Sequence, residues 1–181
     1  MSLAYPEPDL VDEVVRLRPW SENDLGCVRE AAIDPRIPEG TTVPRAFTDE
    51  AGLAFIRRQW ERAENGDGVS LAIAEAVSDE ARGLLWLAAR PQPGVVGVGY
   101  WVIPAARRRG LGRHAVRLAA SWALGDASMT RVEAWVEPEN TASRRVLESA
   151  GFSQDGLLRS FLCFGDRRTD ALVFSRIAGD A

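Results

Sequence analysis

Between Asn65 and Gly68 the hydrophobic period of this chain changes, and the change constrains its class. Upstream, apolar residues recur at helical spacing: Leu25, Val28 and Ala32 in one segment, then Leu53, Ile56, Trp60 and Ala63 in another. Ser21 and Thr48 stand where the N-caps of those helices belong. A short strand over residues 14–17 precedes them, and residues 34–45, rich in Pro and Gly, read as a loop between them. Downstream come three apolar segments of strand length, residues 69–76, 83–89 and 95–103, the last stopped by Pro104. A helix from about Gly112, a strand over Arg131–Val136, a helix over residues 140–150 and strands over residues 157–164 and 171–176 complete the order. That order predicts an α/β layered domain with a mixed sheet. Residues 1–12, with Pro6, Pro8 and several acids, read as a loose arm before a domain spanning residues 13–178.

Several function classes fall away early. A net charge of −4 gives no general affinity for nucleic acid. The longest apolar run, near residues 94–103, is far short of the roughly 20 residues a membrane span needs. The first residues show no basic region followed by an apolar stretch, so no signal peptide is expected. Cys27 and Cys163 stand far apart with no metal-ligand spacing; a cytoplasmic location and no metal are the simpler expectations.

The densest chemistry lies in YWVIPAARRRGLGR, residues 100–113. An apolar strand ends at a proline, a turn with three arginines and two glycines follows, and a helix begins. Such a helix start offers unpaired N–H groups and the positive end of a dipole, a combination suited to a pyrophosphate. Arg107, Arg108, Arg109 and Arg113 can add charge-assisted contacts. The loop is no P-loop, since Arg113-His114 follows Gly112 instead of Lys-Ser/Thr, and it lacks the three glycines of GxGxxG. Taken alone, it is equally readable as a solvated basic turn.

The longer stretch GYWVIPAARRRGLGRHAVRLAASWA resembles the acetyl-coenzyme A motif of the GNAT N-acetyltransferase superfamily, Q/R-x-x-G-x-G/A, with Arg107, Gly110 and Gly112 in its three places. NTASRRVLESAGF, residues 140–152, resembles the later motif, Asn-x-x-Ser followed by a helix ending in Gly-Phe. The version with Ser143 and Val146-Leu147 is similar to the branch that acetylates the N-termini of ribosomal proteins. The detailed resemblance covers residues 94–152. It implies a single-domain, mostly antiparallel sheet flanked by helices, with splayed central strands and a bulge site at Gly97 and Gly99. It implies acetyl-coenzyme A as donor, with no metal. Amides of Arg108, Arg109, Gly110, Leu111, Gly112 and Arg113 would hold the pyrophosphate, and main-chain groups of Trp101, Val102 and Ile103 the pantetheine arm, added like a strand. The acceptor would be a primary amine: a peptide N-terminus, a lysine or a small molecule, attacking directly in a ternary complex. A homodimer is compatible with the resemblance alone.

Acetyl transfer needs a neutral amine, close approach, support for an oxyanion and a proton for the thiolate. Positioning alone can supply up to ~7–11 kcal/mol. An N–H near Val102 suits the oxyanion. The tyrosine acid that many relatives place seven residues after the Asn is replaced by Leu147, which leaves the Ser143 hydroxyl as the alternative. Asn140 is read either as a coenzyme contact or as an N-cap with Ser143 at N3. Glu133 shares a strand face with Glu137 and is the candidate base, against a plain reading as a paired surface acid. His114, the sole histidine, reads as a phosphate-side residue. Trp20, Trp60, Trp86 and Trp101 read as core or as acceptor-pocket walls. Two other functions stay open: a catalytically weak acyl-coenzyme A sensor, and an unrelated α/β phosphate-ligand protein.

Overall fold

The Ser21 hydroxyl accepts the Asn23 N–H at 3.2 Å while the Asp24 carboxylate accepts the Ser21 N–H at 2.8 Å, a capping box on the 3-10 turn that leads into the first helix. The computed structural model describes residues 3–179. Its elements run β1 (Leu10–Val11), β2 (Val15–Pro19), α1 (Leu25–Ile33), α2 (Arg36–Gly40), α3 (Asp49–Glu64), β3 (Val69–Glu75), β4 (Ala81–Ala89), β5 (Val95–Val102), α4 (Leu111–Leu124), β6 (Arg131–Val136), α5 (Thr141–Ser149), β7 (Ser153–Phe164) and β8 (Arg167–Ile177). Short 3-10 turns, Glu22–Asp24 and Pro104–Ala106, precede α1 and follow β5.

The strands form one sheet in the order β1-β2-β3-β4-β5-β6-β8-β7. Every neighbouring pair is antiparallel except β5 with β6. That parallel pair meets only at Val95↔Arg131, Val96↔Val132 and Gly97↔Glu133; beyond Gly97 the strands splay. The expected bulge at Gly97 and Gly99 is absent, because β4 and β5 stay in register from Ala89↔Val96 to Gly83↔Val102. The glycines serve packing instead. A Cβ at Gly97 would overlap the Arg90 guanidinium, and one at Gly99 would lie 3.5 Å from the Trp86 ring.

The period-2 rule assigns the two sheet faces. Ala72, Leu84 and Trp101 share one face, under α1 and α3; Ile73, Leu85, Tyr100 and Val102 share the other, under α4. On α4 the buried stripe is Leu111, Ala115, Val116, Ala119, Ala120 and Ala123, whose small side chains let the helix lie close to the sheet. On α3 the buried face is Gly52, Phe55, Ile56 and Gln59, one residue off the apolar stripe that leaves Leu53, Trp60 and Ala63 half-buried. Gly52 explains the rotation: a Cβ there would strike the Leu25 and Phe47 side chains, so the helix packs through its backbone. Gln59 is fully buried and donates to the Phe55 carbonyl at 2.7 Å, which satisfies its amide. Burying each large side chain such as Phe55, Phe174 or Leu85 contributes about 1.5–3 kcal/mol.

Two loop expectations need correction. The arm over residues 1–12 is tied down wherever it is described: Leu3 is buried, Tyr5 donates to the Gln59 carbonyl, and Leu10–Val11 pairs with β2. Met1 and Ser2 lie outside the described residues. The stretch 34–45 holds α2, with Ile37, Pro38 and Val43 buried. The closing hairpin also starts earlier than its apolar segments. Ser153 to Gly156 and Arg167 to Asp170 are polar because β7, at the sheet edge, is exposed along most of its length.

Candidate active site

The turn between β5 and α4 is built from two left-handed residues. Pro104 ends the strand, and the Ala106 and Arg107 N–H groups bond back to Ile103 and Pro104. Arg108 then takes φ +63° and Gly110 φ +83°. Alternating left-handed residues turn successive N–H groups to one side and form an anion-binding concavity. The first helical bond is His114 N–H to the Gly110 carbonyl at 3.1 Å. Among the described residues, the six backbone N–H groups from Arg108 to Arg113 have no hydrogen-bond partner. A 14-residue helix adds its dipole to that cradle.

The four arginines divide into two pairs. The Arg107 Nε donates to the Val102 carbonyl at 3.0 Å, and its Nη2 pairs with the buried Asp34 carboxylate. Burial alone would raise the Asp34 carboxyl, but the Arg36 N–H and the Arg107 guanidinium outweigh it and hold the group below the usual carboxylate range. Arg109 reaches Glu75 at 2.7 Å. Expected as phosphate ligands, Arg107 and Arg109 are therefore committed to carboxylates, and they brace the turn from outside. Arg108 and Arg113 are exposed and, among the described residues, carry no ion-pair partner.

The splayed edge of β5 presents fewer groups than expected. The Ile103 N–H donates across to the Arg82 carbonyl at 2.9 Å, so Ile103 and Trp101 face β4. Alternation in an antiparallel ladder then turns the N–H groups of Val102 and Tyr100 toward the side β6 vacates. Of the three residues expected to hold the pantetheine arm, only Val102 offers main-chain groups there, and its carbonyl already accepts from Arg107. The Trp101 side chain is core, with ring centroids 6.1 Å from Trp20 and 6.5 Å from Phe55. Trp60 donates its indole N–H to the Trp20 carbonyl.

Asn140 is the N-cap of α5: its Oδ1 accepts the Ser143 N–H at 3.1 Å. The Ser143 Oγ lies 2.7 Å from the Tyr100 hydroxyl. Burial pushes the Tyr100 phenol up to about 12, against the lowering effect of Ser143. Leu147, at the place of the missing tyrosine, is fully buried.

Glu133 has both oxygens engaged. Oε2 accepts from Arg131 Nε at 3.1 Å and Nη2 at 3.0 Å, and Oε1 accepts from the Trp135 indole at 2.8 Å. Glu137 pairs with Arg167, which also meets Glu39 of α2 and stacks over Phe164. The buried His114 lies 2.7 Å from Asp12, on the far side of α4 from Tyr100 and Ser143. Burial would raise the Asp12 carboxyl, but the Val15 and Val14 N–H groups and His114 bring it below its ordinary value. Asp12, Glu13 and His114 could offer a metal three ligand atoms, though two Asp12 bonds already go to backbone N–H groups.

Residue patterns alone miss Tyr100, Asp34 and the Arg90–Trp135 stack, in which the guanidinium carbon sits 3.6 Å from the ring centroid above Gly97. The Gly97 position was the one available signal, as a glycine where a strand has no local need for one.

Known proteins share this sequence pattern and this fold. The acetyltransferase (GNAT) domain family matches residues 15–153. A probable N-acetyltransferase YjcK of Bacillus subtilis is 32% identical over 115 residues; the match spans 62% of this chain and 64% of that protein, less than two thirds of its length. Among solved structures, a GNAT-family acetyltransferase from Bacillus anthracis superposes with a TM-score of 0.81 at 17% identity, covering 94% of this chain and 98% of the other. RimJ from Mycobacterium smegmatis, in complex with a CoA disulfide, gives 0.79 at 24% identity over 91% of this chain and 82% of its own.

Proposed function

The chain belongs to the acetyltransferase (GNAT) family, and from that premise we propose that it binds acetyl-coenzyme A at the turn before α4 and passes the acetyl group to a primary amine. The run of six open amides from Arg108 to Arg113 carries this reading. The cradle takes the pyrophosphate, with Leu111, Gly112 and the Arg113 side chain at its helical end and Arg108 and Arg109 at its turn. The pantetheine arm lies along the open edge of β5, reached through Val102. The thioester carbonyl then comes beside the Tyr100 N–H group, which suits a developing oxyanion.

The amine approaches from the opposite sheet face, past Gly97, Gly99, Trp86 and Trp135. It attacks the thioester carbon directly, with no enzyme-bound acyl group; Cys27 is buried in the core, and the exposed Cys163 thiol lies against the Gly165 carbonyl at the hairpin turn. Glu133 holds Arg131 and Trp135 in this region. The acceptor is a small-molecule or peptide amine. A donor complex is consistent with the RimJ relative, which was crystallised with a CoA disulfide. The engaged state of Glu133 favours a second reading, an acyl-coenzyme A sensor that turns over weakly.

Calorimetry with coenzyme A, ATP and NAD tests the site, and thiol release with a panel of amines tests the reaction. Saturable binding of coenzyme A alone, with thiol release by at least one amine, is the expected result. Binding without release by any amine favours the sensor, and no coenzyme A binding refutes both readings.

A further inference from the structure

The hydroxyls of Tyr100 and Ser143 meet 43 residues apart in sequence, on the side of β5 that β6 leaves open. Tyr100 projects from β5 toward α4 and α5, and Ser143 stands in the first turn of α5. The pair lies against the helix start that carries the open amides. A Cβ added at Gly112 would sit 3.8 Å from the Tyr100 ring and 3.8 Å from Val146. Folding of α5 does not depend on the Ser143 hydroxyl, because Asn140 makes the cap and Leu147 supplies the buried anchor. The Tyr100 hydroxyl also lies 3.2 Å from the Ser143 carbonyl, so within the protein it has only Ser143 to bond.

Resting on the acetyl-transfer reading above, we propose that Tyr100 donates the hydrogen bond that stabilises the departing coenzyme sulfur, and that Ser143 orients it. The amine nitrogen forms its bond to the carbonyl carbon, the C–S bond breaks, and its electron pair leaves on sulfur. The Tyr100 O–H turns to that sulfur while the Ser143 O–H donates to the Tyr100 oxygen. The surplus proton of the attacking amine goes to solvent, and the thiolate takes its proton from solvent as it departs. A phenol is a much stronger donor than the aliphatic hydroxyl of Ser143. Because burial keeps the phenol protonated through the neutral range, the donor is present at every working pH, and it lends its hydrogen without giving it up. The proposal moves the role left vacant by Leu147 from α5 to the strand.

The test uses the full chain with acetyl-coenzyme A and the best acceptor amine. Tyr100→Phe is expected to lower kcat about 10²-fold with coenzyme A affinity unchanged. Ser143→Ala is expected to lower kcat by less, about tenfold, for the loss of one orienting bond. The double variant should be no slower than Tyr100→Phe alone, since both act through one donor. Replacing Tyr100 with a multiply fluorinated tyrosine, which nearly keeps its shape but is far more acidic, should bring an alkaline limb of kcat down into the working range, where the wild-type phenol gives none. A merely structural hydroxyl would not bring in that limb. Wild-type kcat in a Tyr100→Phe chain that still binds coenzyme A overturns the proposal, as does the lack of such a limb in the fluorinated protein. If wild-type protein binds coenzyme A but releases no thiol with any amine, the transfer reading falls and this inference falls with it.

Discussion

Asp34, just past α1, and Arg107, in the turn before α4, form an ion pair across 73 positions of sequence. Because Arg107 also donates to the Val102 carbonyl, one side chain ties the turn both to the first helical layer and to the strand it leaves. Asp34→Asn should cost about 1–2 kcal/mol of stability for the lost charged hydrogen bond. It should also weaken coenzyme A binding by loosening the turn. Urea unfolding and calorimetry on the same preparation measure both, and a variant with wild-type affinity would show that Arg107 does not set the shape of the turn.

At Gly110 the backbone itself limits what can be substituted. With φ +83° an L-residue is strained whatever space it has, so Gly110→Ala should cost about 1–2 kcal/mol. Gly110→Glu adds a negative charge beside the amide cradle and should abolish coenzyme A binding in a chain that still folds. Intact affinity in folded Gly110→Glu would exclude the turn as the pyrophosphate site.

The arginines should separate in a binding experiment. Arg113→Ala removes an unpaired cation at the helix start and should weaken coenzyme A about tenfold, with the effect shrinking as salt is raised. Arg109→Ala breaks a contact with Glu75 and should change affinity much less. Equal losses at both positions would contradict the division into bracing and ligand-facing side chains.

Acid should unfold the protein through a few identifiable carboxylates. Asp12, Asp34 and Glu75 are all held below their ordinary values, each by hydrogen bonds and cationic neighbours that outweigh burial. A depressed carboxyl contributes its stability above its unfolded value and loses it as pH falls through the folded one. Stability should therefore be flat from neutral pH down to about 4 and fall below that. Asp34→Asn should flatten the acid slope. A melting-temperature series in pH, with and without the substitution, checks the sign.

Glu133→Gln tests whether an engaged carboxylate can serve as a base. The side chain bonds Arg131 and Trp135 with both oxygens, so the substitution should lower the melting temperature and leave the acid limb of kcat/KM in place. Loss of that limb would identify Glu133 as the proton acceptor.

Local signals were legible where the residues themselves carry them. Ser21, Thr48 and Asn140 are caps, and caps act within three residues. The strand-turn-helix around Gly110 is likewise local. The parts that escaped depend on distance or on shape. α3 turns its Gly52 face inward because Leu25 and Phe47 wait there, which no apolar count on the helix can reveal. Arg107 and Arg109 read as phosphate ligands because Asp34 and Glu75 are remote in sequence. Gly97 and Gly99 read as a bulge, when their purpose is to clear room for Arg90 and Trp86. Tyr100 carries no local signal because its partner, Ser143, sits 43 residues away on another element.

The parallel seam between β5 and β6 divides the sheet into two slabs stitched by three rungs. One slab carries α1, α3 and the first five strands; the other carries the β7–β8 hairpin. A guest laid along the open part of the seam adds the missing rungs, so the stiffness of the molecule depends on what it holds. Amide exchange in Tyr100, Val102 and the facing half of β6 should slow on loading more than anywhere else in the sheet, and the empty protein should hinge along that line.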